Sequence, residues 1–569
     1  MTTKAPTDFL SNVEAPLVLN DVDDINWEDS ADVVVVGFGG AGTAAAIQAR
    51  ELGASVIAVD RFGGGGATER SGGVTYAGAT RFQQEAGYPD SAQNMYDYLS
   101  QETMAVAPET LRRFCEHSND DLEWLAAQGV PFSSVLYPDK TTYPPENYYL
   151  FFSGNEKVPS YKANAKPAPR GHRAQGAGFT GYVHYAAMKT SALRQGVKLL
   201  PHAPVRRLVT LKDGTVVGVE LSQIPMDDWA KHDALYDAVQ PMKPFSGVKF
   251  EKAIKECAEF EHRVSQRRLI RASGGVILCA GGFVYNLDMV QKHRPLYAKV
   301  FRSIYRLGSM GCDGSGIDLG RSVGGATGLM DSFFLGRSIA PPVEFVRGVM
   351  VDKDGKRFIN EDAYNGFLGN AIGDLPGDGK AWLILDRQGI GRAFKQILCP
   401  GKGMYLYTLP SLLNILFGGT RFGFSLNSLA KKCKVRSDLL HEAVRGINQA
   451  ATTGSDPLGK SPDNIQALKR APYFAINMDL DNKFTVSMLF TLGGLTVDEK
   501  SGAVTRGDSS PIAGLYAAGR TAVGLCSKAY ISGMSIADTV FSGRRAARDA
   551  VARLKTPQDN NAKVGQVTR

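Results

Sequence analysis

The segment Asp32-Val-Val-Val-Val-Gly37-Phe-Gly39-Gly-Ala-Gly42 constrains this chain more than any other. Its valine run predicts a strand buried on both faces, as in a parallel sheet. Glycines at 37, 39 and 42 then predict three things: a tight turn, a backbone able to approach a pyrophosphate, and a helix packed closely on the strand. The Ala-rich helix over 43–52 would aim its first N–H groups at such phosphates. Gly53 stops that helix, Ala54–Val59 reads as a second strand, and Asp60 stands at its end. A dinucleotide fold places its acceptor for a ribose hydroxyl there. Strand, turn, helix, strand and acid in this order point to a dinucleotide site, with NAD and FAD both open.

The 569 residues are enough for two or more domains. The formal charge of +8 is modest, and Lys and Arg read as scattered among acids with no basic stripe, which argues against nucleic acid. Seven cysteines, odd in number and without a C-x-x-C, read as buried thiols in a reducing, cytoplasmic setting. They offer neither an iron–sulfur nor a zinc framework, and no metal is expected. Residues 1–30 lack the pattern of a secretory signal and read as a loosely attached arm. The low-charge stretch 403–420 is interrupted by Pro410, Ser411 and Asn414, so it does not read as a membrane span. It is either packed core or a surface that touches membranes, as a peripheral contact.

The fold class expected is α/β: a Rossmann-like domain with a mostly parallel sheet, plus an inserted α+β capping domain. Residues 31–309 form the first part of the nucleotide domain, interrupted by a charged excursion at 222–268, and 472–569 form the second part. Residues 310–471 form the inserted capping domain, where a hairpin turns at Asp354-Gly355. The loop Gly63–Gly78 is too rich in glycine for regular structure and suits close approach to a flat or anionic ligand. Ser535-Ile-Ala-Asp538 has the form of a capping box opening the last helix, to about Lys555. The aromatic stretch 137–152 reads as ordinary core or as an apolar wall.

The glycine turn with Asp60, the Gly63–Gly78 loop, Leu278-Cys-Ala-Gly-Gly-Phe283, and Tyr516-Ala-Ala-Gly519 followed by Ser535–Arg544 together resemble the fumarate reductase/succinate dehydrogenase flavoprotein superfamily. The resemblance spans essentially the whole chain. It implies non-covalent FAD held by both chain ends, with substrate between the two domains. Gly37, Gly39, Gly40, Ala41 and Gly42 would hold the pyrophosphate, and Asp60 and Arg61 the adenosine side. Thr68, Ser71, Gly72 and Gly73 would line the flavin, Ala280, Gly281, Ala518, Gly519 and Arg520 would close over the middle, and Ser535 and Ile536 would meet the pyrimidine edge.

Dicarboxylate members bind substrate with His and Arg, including a His-Pro-Thr segment. The corresponding region here, Met330-Asp-Ser-Phe-Phe-Leu-Gly-Arg-Ser-Ile, has no such segment, and all eight histidines lie elsewhere. Ser527-Lys-Ala-Tyr530-Ile-Ser532-Gly533, Pro169-Arg170-Gly171-His172 and Asn360-Glu-Asp-Ala-Tyr364 instead resemble 3-ketosteroid dehydrogenases, in particular the Δ4-(5α) branch. That resemblance implies FAD-dependent introduction of the 4,5 double bond into a 5α-3-ketosteroid, with a diffusible electron acceptor. The alternatives are Δ1 dehydrogenation and a fumarate-reductase-like reduction of an activated alkene.

Tyr530 would take the proton from the carbon beside the ketone. Its reference pKa of about 10 makes it a weak base, so donors from Ser532 and Tyr364 are expected to lower it. An extended lead-in before the helix would let Ser532 face the same way as Tyr530. Backbone amides near Gly533 are the expected partners of the ketone oxygen.

Overall fold

The computed structural model describes residues 10–555 apart from 103, 140, 240–246 and 401–404. The first nine residues of the arm, 240–246 of the excursion and the first two of 403–420 therefore lie outside the described residues.

Strands β1 (Leu17–Leu19) and β2 (Asp29–Val36) open the chain, followed by helix α1 (Gly40–Glu51) and strand β3 (Val56–Val59). After a long excursion come β4 (Lys198–Leu200), β5 (Val205–Leu211) and β6 (Val216–Gln223), then helices α2 (Trp229–Asp237) and α3 (Gly247–Val264), then β7 (Gln266–Leu278). The sheet runs β1-β5-β6-β7-β2-β3-β4. Val33, Val34 and Val35 are fully buried at its centre, as a valine run covered on both faces requires. The residues between β6 and β7 are an excursion from directly paired strands, Gln223 standing opposite Gln266.

The described part of the arm is tied to the body of the protein. β1 pairs in parallel with β5, and Ser11 donates through both its backbone N–H and its hydroxyl to the buried Asp318 carboxylate, at 3.1 and 2.8 Å.

The capping domain contains β8 (Phe333–Arg337), β9 (Val349–Asp352), α4 (Asn365–Gly373), β10 (Ala381–Leu385), α5 (Arg387–Leu398), α6 (Tyr405–Phe417), β11 (Arg421–Gly423), β12 (Tyr473–Asn477) and β13 (Ser487–Thr491). β12 pairs with β10 and β11, and β13 pairs with β8. Strands on both sides of residue 471 thus pair with one another, the last of them ending at Thr491. Pairing between distant strands leaves no local mark in composition.

β14 (Pro511–Ala517) then returns to the large sheet beside the end of β7, and α7 (Met534–Lys555) closes the chain. Ala44, Ala45, Ala46 and Ala49 of α1 are fully buried in one cluster with Ala546, Ala547 and Ala550 of α7. Small side chains let the two helices lie close together, so both of their N-terminal ends reach one cavity.

Candidate active site

The glycine turn is built as its sequence demands. Gly37 has φ +95°, and a Cβ there would lie 2.6 Å from the Cys279 carbonyl oxygen. A Cβ on Gly42 would lie 1.9 Å from the Gly37 carbonyl oxygen. α1 starts at Gly40, three residues earlier than the sequence suggests, with Gly39 at its N-cap and no side chain capping it. Beyond the Gly40 N–H, which Thr68 takes, the N–H groups of its first turn are the ones open to a ligand.

Asp60 sits behind this turn. Its carboxylate accepts the Phe38 and Phe62 backbone N–H groups at 2.7 and 2.8 Å, so it fixes the loop as well as lining the cavity. Burial raises its pKa, against the amides of Phe38, Phe62 and Gly64. Thr68 accepts the Gly40 N–H at 3.1 Å, and Ser71 donates to the Thr68 carbonyl at 2.7 Å. The glycine-rich loop is thereby tied to the start of α1.

One cavity runs from this turn to the capping domain. Every candidate residue named from the sequence lines it, from Gly37 through Gly533 to Ile536, with the exception of Gly42, which is enclosed behind the turn. It extends from Gly37 and Gly39 at one end to Tyr364, Phe490 and Tyr530 at the other, so the glycine turn and the capping-domain wall face one continuous space.

At the far end stands Tyr530. Its ring meets Phe334 and Phe490 edge-on, each with centroids 4.9 Å apart. Phe334 and Phe490 are register partners across β8 and β13, and the Arg520 guanidinium lies 5.1 Å over the Phe490 ring. Tyr364 is buried on the same wall. Its backbone N–H donates to Asn155 Oδ1 at 2.7 Å, and Asn155 Nδ2 donates to the buried Glu102 at 3.1 Å. Beside it Asn365, only 6% exposed, lines the cavity with neither its amide oxygen nor its amide nitrogen hydrogen-bonded.

Several expectations change here. Burial pushes the Tyr530 phenol well above its ordinary pKa, and the neighbouring Cys526 adds to this. The Gly533 N–H and Arg520 pull the other way without reversing it. Among the described residues no hydrogen bond joins Ser532 to that phenol. The lead-in is a turn rather than an extended strand: the Met534 N–H donates to the Ile531 carbonyl, and the Ser532 N–H to Ser153.

Ser535 is not the cap of α7. Gly533, at φ +97°, is the residue whose carbonyl accepts the Ala537 N–H at 3.1 Å. Asp538 serves another element, accepting the Leu525 N–H at 3.2 Å. Ser535 and Ile536 still face the cavity from the first turn of the helix.

The Arg170-Gly-His172 segment is scaffold. Arg170 is ion-paired with Asp90 at 2.7 Å, both fully buried, and His172 bonds Thr80 and the Arg170 carbonyl. No histidine lines the cavity. From the described residues of the aromatic stretch 137–152, Thr142 and Tyr143 reach it, the Tyr143 hydroxyl donating to the Gly72 carbonyl at 2.8 Å.

Sequence reasoning did not single out Asn365, Met488, Phe490 or, from the excursion, Tyr236, all of which line the cavity. His232, Cys257 and Glu261 could reach a common cation. Although burial alone would raise its pKa, Glu261 is held well below the usual carboxylate range by Arg61 at 2.6 Å, with His232 and Arg206. Two guanidinium groups already supply the positive charge a metal would bring.

Residues 32–534 match the family model described as an FAD binding domain. A 3-oxo-5-alpha-steroid 4-dehydrogenase of Comamonas testosteroni is 36% identical over 518 residues, covering 88% of this chain and 95% of that one. A 3-oxosteroid 1-dehydrogenase of Mycolicibacterium smegmatis is 26% identical, covering 92% and 97%. The crystal structure of 3-ketosteroid-Δ4-(5α)-dehydrogenase from Rhodococcus jostii RHA1, in complex with 4-androstene-3,17-dione, superposes with a TM-score of 0.77 at 28% identity, covering 95% of this chain and all of that one.

Proposed function

We propose that this chain, which belongs to the FAD-binding family, is a dehydrogenase that introduces the 4,5 double bond into 5α-3-ketosteroids. The residues present fit FAD: the start of α1, the buried Asp60 and the glycine segments from both chain ends line one end of the cavity. FAD, when bound, supplies an acceptor for a hydride and hands the electrons on to a diffusible acceptor.

The observation that carries the substrate reading is Tyr530 packed edge-on against the touching rings of Phe334 and Phe490 at the far end of that cavity. An apolar, flat, polycyclic substrate suits walls of Phe334, Phe490, Met488 and Leu307. A dicarboxylate does not, because among the described residues that line the cavity Arg520 is the one cation beside Tyr530 and no histidine joins it.

Tyr530 takes the proton from the carbon beside the ketone as the neighbouring carbon loses its hydride. The Gly533 N–H faces the phenol and favours its charged form. The ketone oxygen, gaining negative charge, takes its hydrogen bond from the unpaired Asn365 amide. Tyr364, held by Asn155, closes the wall beside it. α7 points its positive end into the cavity, favouring negative charge there.

The test is to incubate the flavin-loaded protein with a saturated 5α-3-ketosteroid and an artificial electron acceptor. The 4-ene ketone is the expected product. Formation of the 1-ene alone overturns the regiochemistry, and the absence of product overturns the substrate class.

The raised Tyr530 phenol also favours a second reading, reduction of an activated alkene, in which a protonated Tyr530 donates its proton. Oxidation of the pre-reduced protein by an enoate, with no response to steroids, is the outcome that supports it.

A further inference from the structure

One corner of the capping domain stands out in both charge and exposure. Residues 387–437 contain nine Lys and Arg and not one Asp or Glu. That stretch carries more than the whole chain's net +8, so the charge is not scattered as the overall composition implies. Arg392 and Arg436 pair with Glu344 and Asp438, acids outside the stretch. Lys395, Arg421, Lys431 and Lys434 are exposed, and among the described residues no ion pair neutralises them.

The same corner exposes large apolar side chains. On α6, Ile415 and Leu412 pack into the core, while Leu409, Leu416 and Phe417 are 53%, 56% and 67% exposed. Phe422 and Phe424, on and just beyond β11, are 48% and 75% exposed. α6 and β11 are anchored on one strand, so these side chains share a face: Asn414 donates to the Asn477 carbonyl at 3.0 Å, and β11 pairs with β12. Lysines edge the aromatic rings, with Lys432 Nζ 4.4 Å from the Phe422 centroid and Lys483 Nζ 5.4 Å from that of Phe484, which in turn meets Phe417.

A helix apolar on its outward face as well as its inward one needs something to cover it. No helix among the described residues is long and apolar enough to cross a membrane. The thirteen residues of α6 rise about 20 Å, short of the roughly 30 Å hydrocarbon core. Leucine and phenylalanine with a basic rim, in a stretch 387–437 without acids and with Asp481 beside Lys483 as an exposed acid near its edge, is the composition of a segment that lies in the interface of an anionic bilayer.

We propose that this corner, presented by α6 and the Arg421–Phe424 segment, docks the protein on anionic lipid surfaces. The aromatic and leucine side chains enter the headgroup region, and the uncompensated lysines and arginines meet lipid phosphates. Docking is separate from turnover, since none of these residues lines the cavity.

The experiment is sedimentation of the full-length, flavin-loaded protein with vesicles of phosphatidylcholine alone or with phosphatidylglycerol. Binding is expected only to the anionic vesicles and is expected to be lost at about 1 M salt, where the Debye length falls to about 3 Å. The double variant Arg421→Glu/Lys431→Glu should weaken binding at least about tenfold. Leu416→Asp/Phe417→Asp should do the same, while both retain the wild-type melting temperature and turnover of dissolved substrate. No sedimentation with anionic vesicles, or sedimentation that both double variants leave unchanged, overturns the proposal. So does self-association in lipid-free solution that Leu416→Asp/Phe417→Asp abolishes without any vesicle binding, which would make a second copy the occupant of this face.

Discussion

A Cβ on Gly42 would lie 1.9 Å from the carbonyl oxygen of Gly37, so the third glycine of the motif packs against the first. The obstacle is backbone, which cannot swing aside as a side chain can, so Gly42→Ala must push α1 away from the turn. The expected cost is about 1–3 kcal/mol of stability, together with at least about a tenfold loss of FAD affinity, ~1.4 kcal/mol. Melting temperature and the flavin-to-protein ratio read these two effects. Unchanged FAD affinity would show that the close approach of α1 is not needed to hold the cofactor.

Tyr530→Phe keeps the ring against Phe334 and Phe490 and removes only the hydroxyl. Turnover should fall by roughly 10²-fold or more, with FAD and folding retained. Equal turnover in the variant removes Tyr530 from the reaction.

The raised phenol predicts the pH dependence and its sign. Proton abstraction needs the deprotonated form, and burial lifts the pKa above the usual value of about 10. Below that pKa the active fraction grows tenfold per pH unit. The kcat/KM of dehydrogenation should therefore climb through neutral pH and reach no plateau below about pH 10. In the reverse direction the protonated phenol is the active form, and the same range should be flat. A dehydrogenation plateau near neutrality would point to a different base.

Asn365 is buried with both amide atoms unpaired, so truncating it breaks no bond in the ligand-free protein. Asn365→Ala should leave the melting temperature close to wild type and lower turnover by roughly 10²-fold, as loss of an oxyanion donor does. Asn365→Gln, which restores a donor, should recover part of it. A loss of stability with activity intact would make Asn365 a structural residue.

The glycine turn and Asp60 were legible because their geometry is local: φ, close approach and strand end lie within one stretch of chain. The far end of the cavity was less so. Phe334 and Phe490 face each other only because β8 pairs with β13 across the domain. The extended lead-in expected to aim Ser532 at Tyr530 is replaced by a turn, which Gly533 makes possible with its positive φ. The pairing of β12 was hidden for the same reason as Phe490: its partner strands precede it by many residues.

The last prediction concerns the support behind Tyr364. Glu102 accepts hydrogen bonds from Tyr98, from Asn155 at 3.1 Å and from Tyr161 at 3.3 Å, and Asn155 in turn holds the Tyr364 backbone. Burial raises the Glu102 pKa from 4.5 to about 7, more than those donors lower it, and the nearby Glu156 adds to the rise. The folded state thus holds this proton more tightly than the unfolded state does. Its contribution favours folding fully below about pH 4.5, declines as pH rises towards 7, and is gone above that. The span is roughly 3 kcal/mol, at 1.36 kcal/mol per pKa unit. Glu102→Gln removes the ionisation and keeps hydrogen-bonding atoms in place, so the decline in melting temperature between pH 5 and pH 8 should be smaller in the variant than in the wild type. Equal declines would exclude this buried carboxyl as their source. Because Asn155 can still bond the Gln side chain, turnover at pH 8 should stay near wild type; if it collapses, the charge on Glu102, rather than the anchor it offers Asn155, is what positions Tyr364.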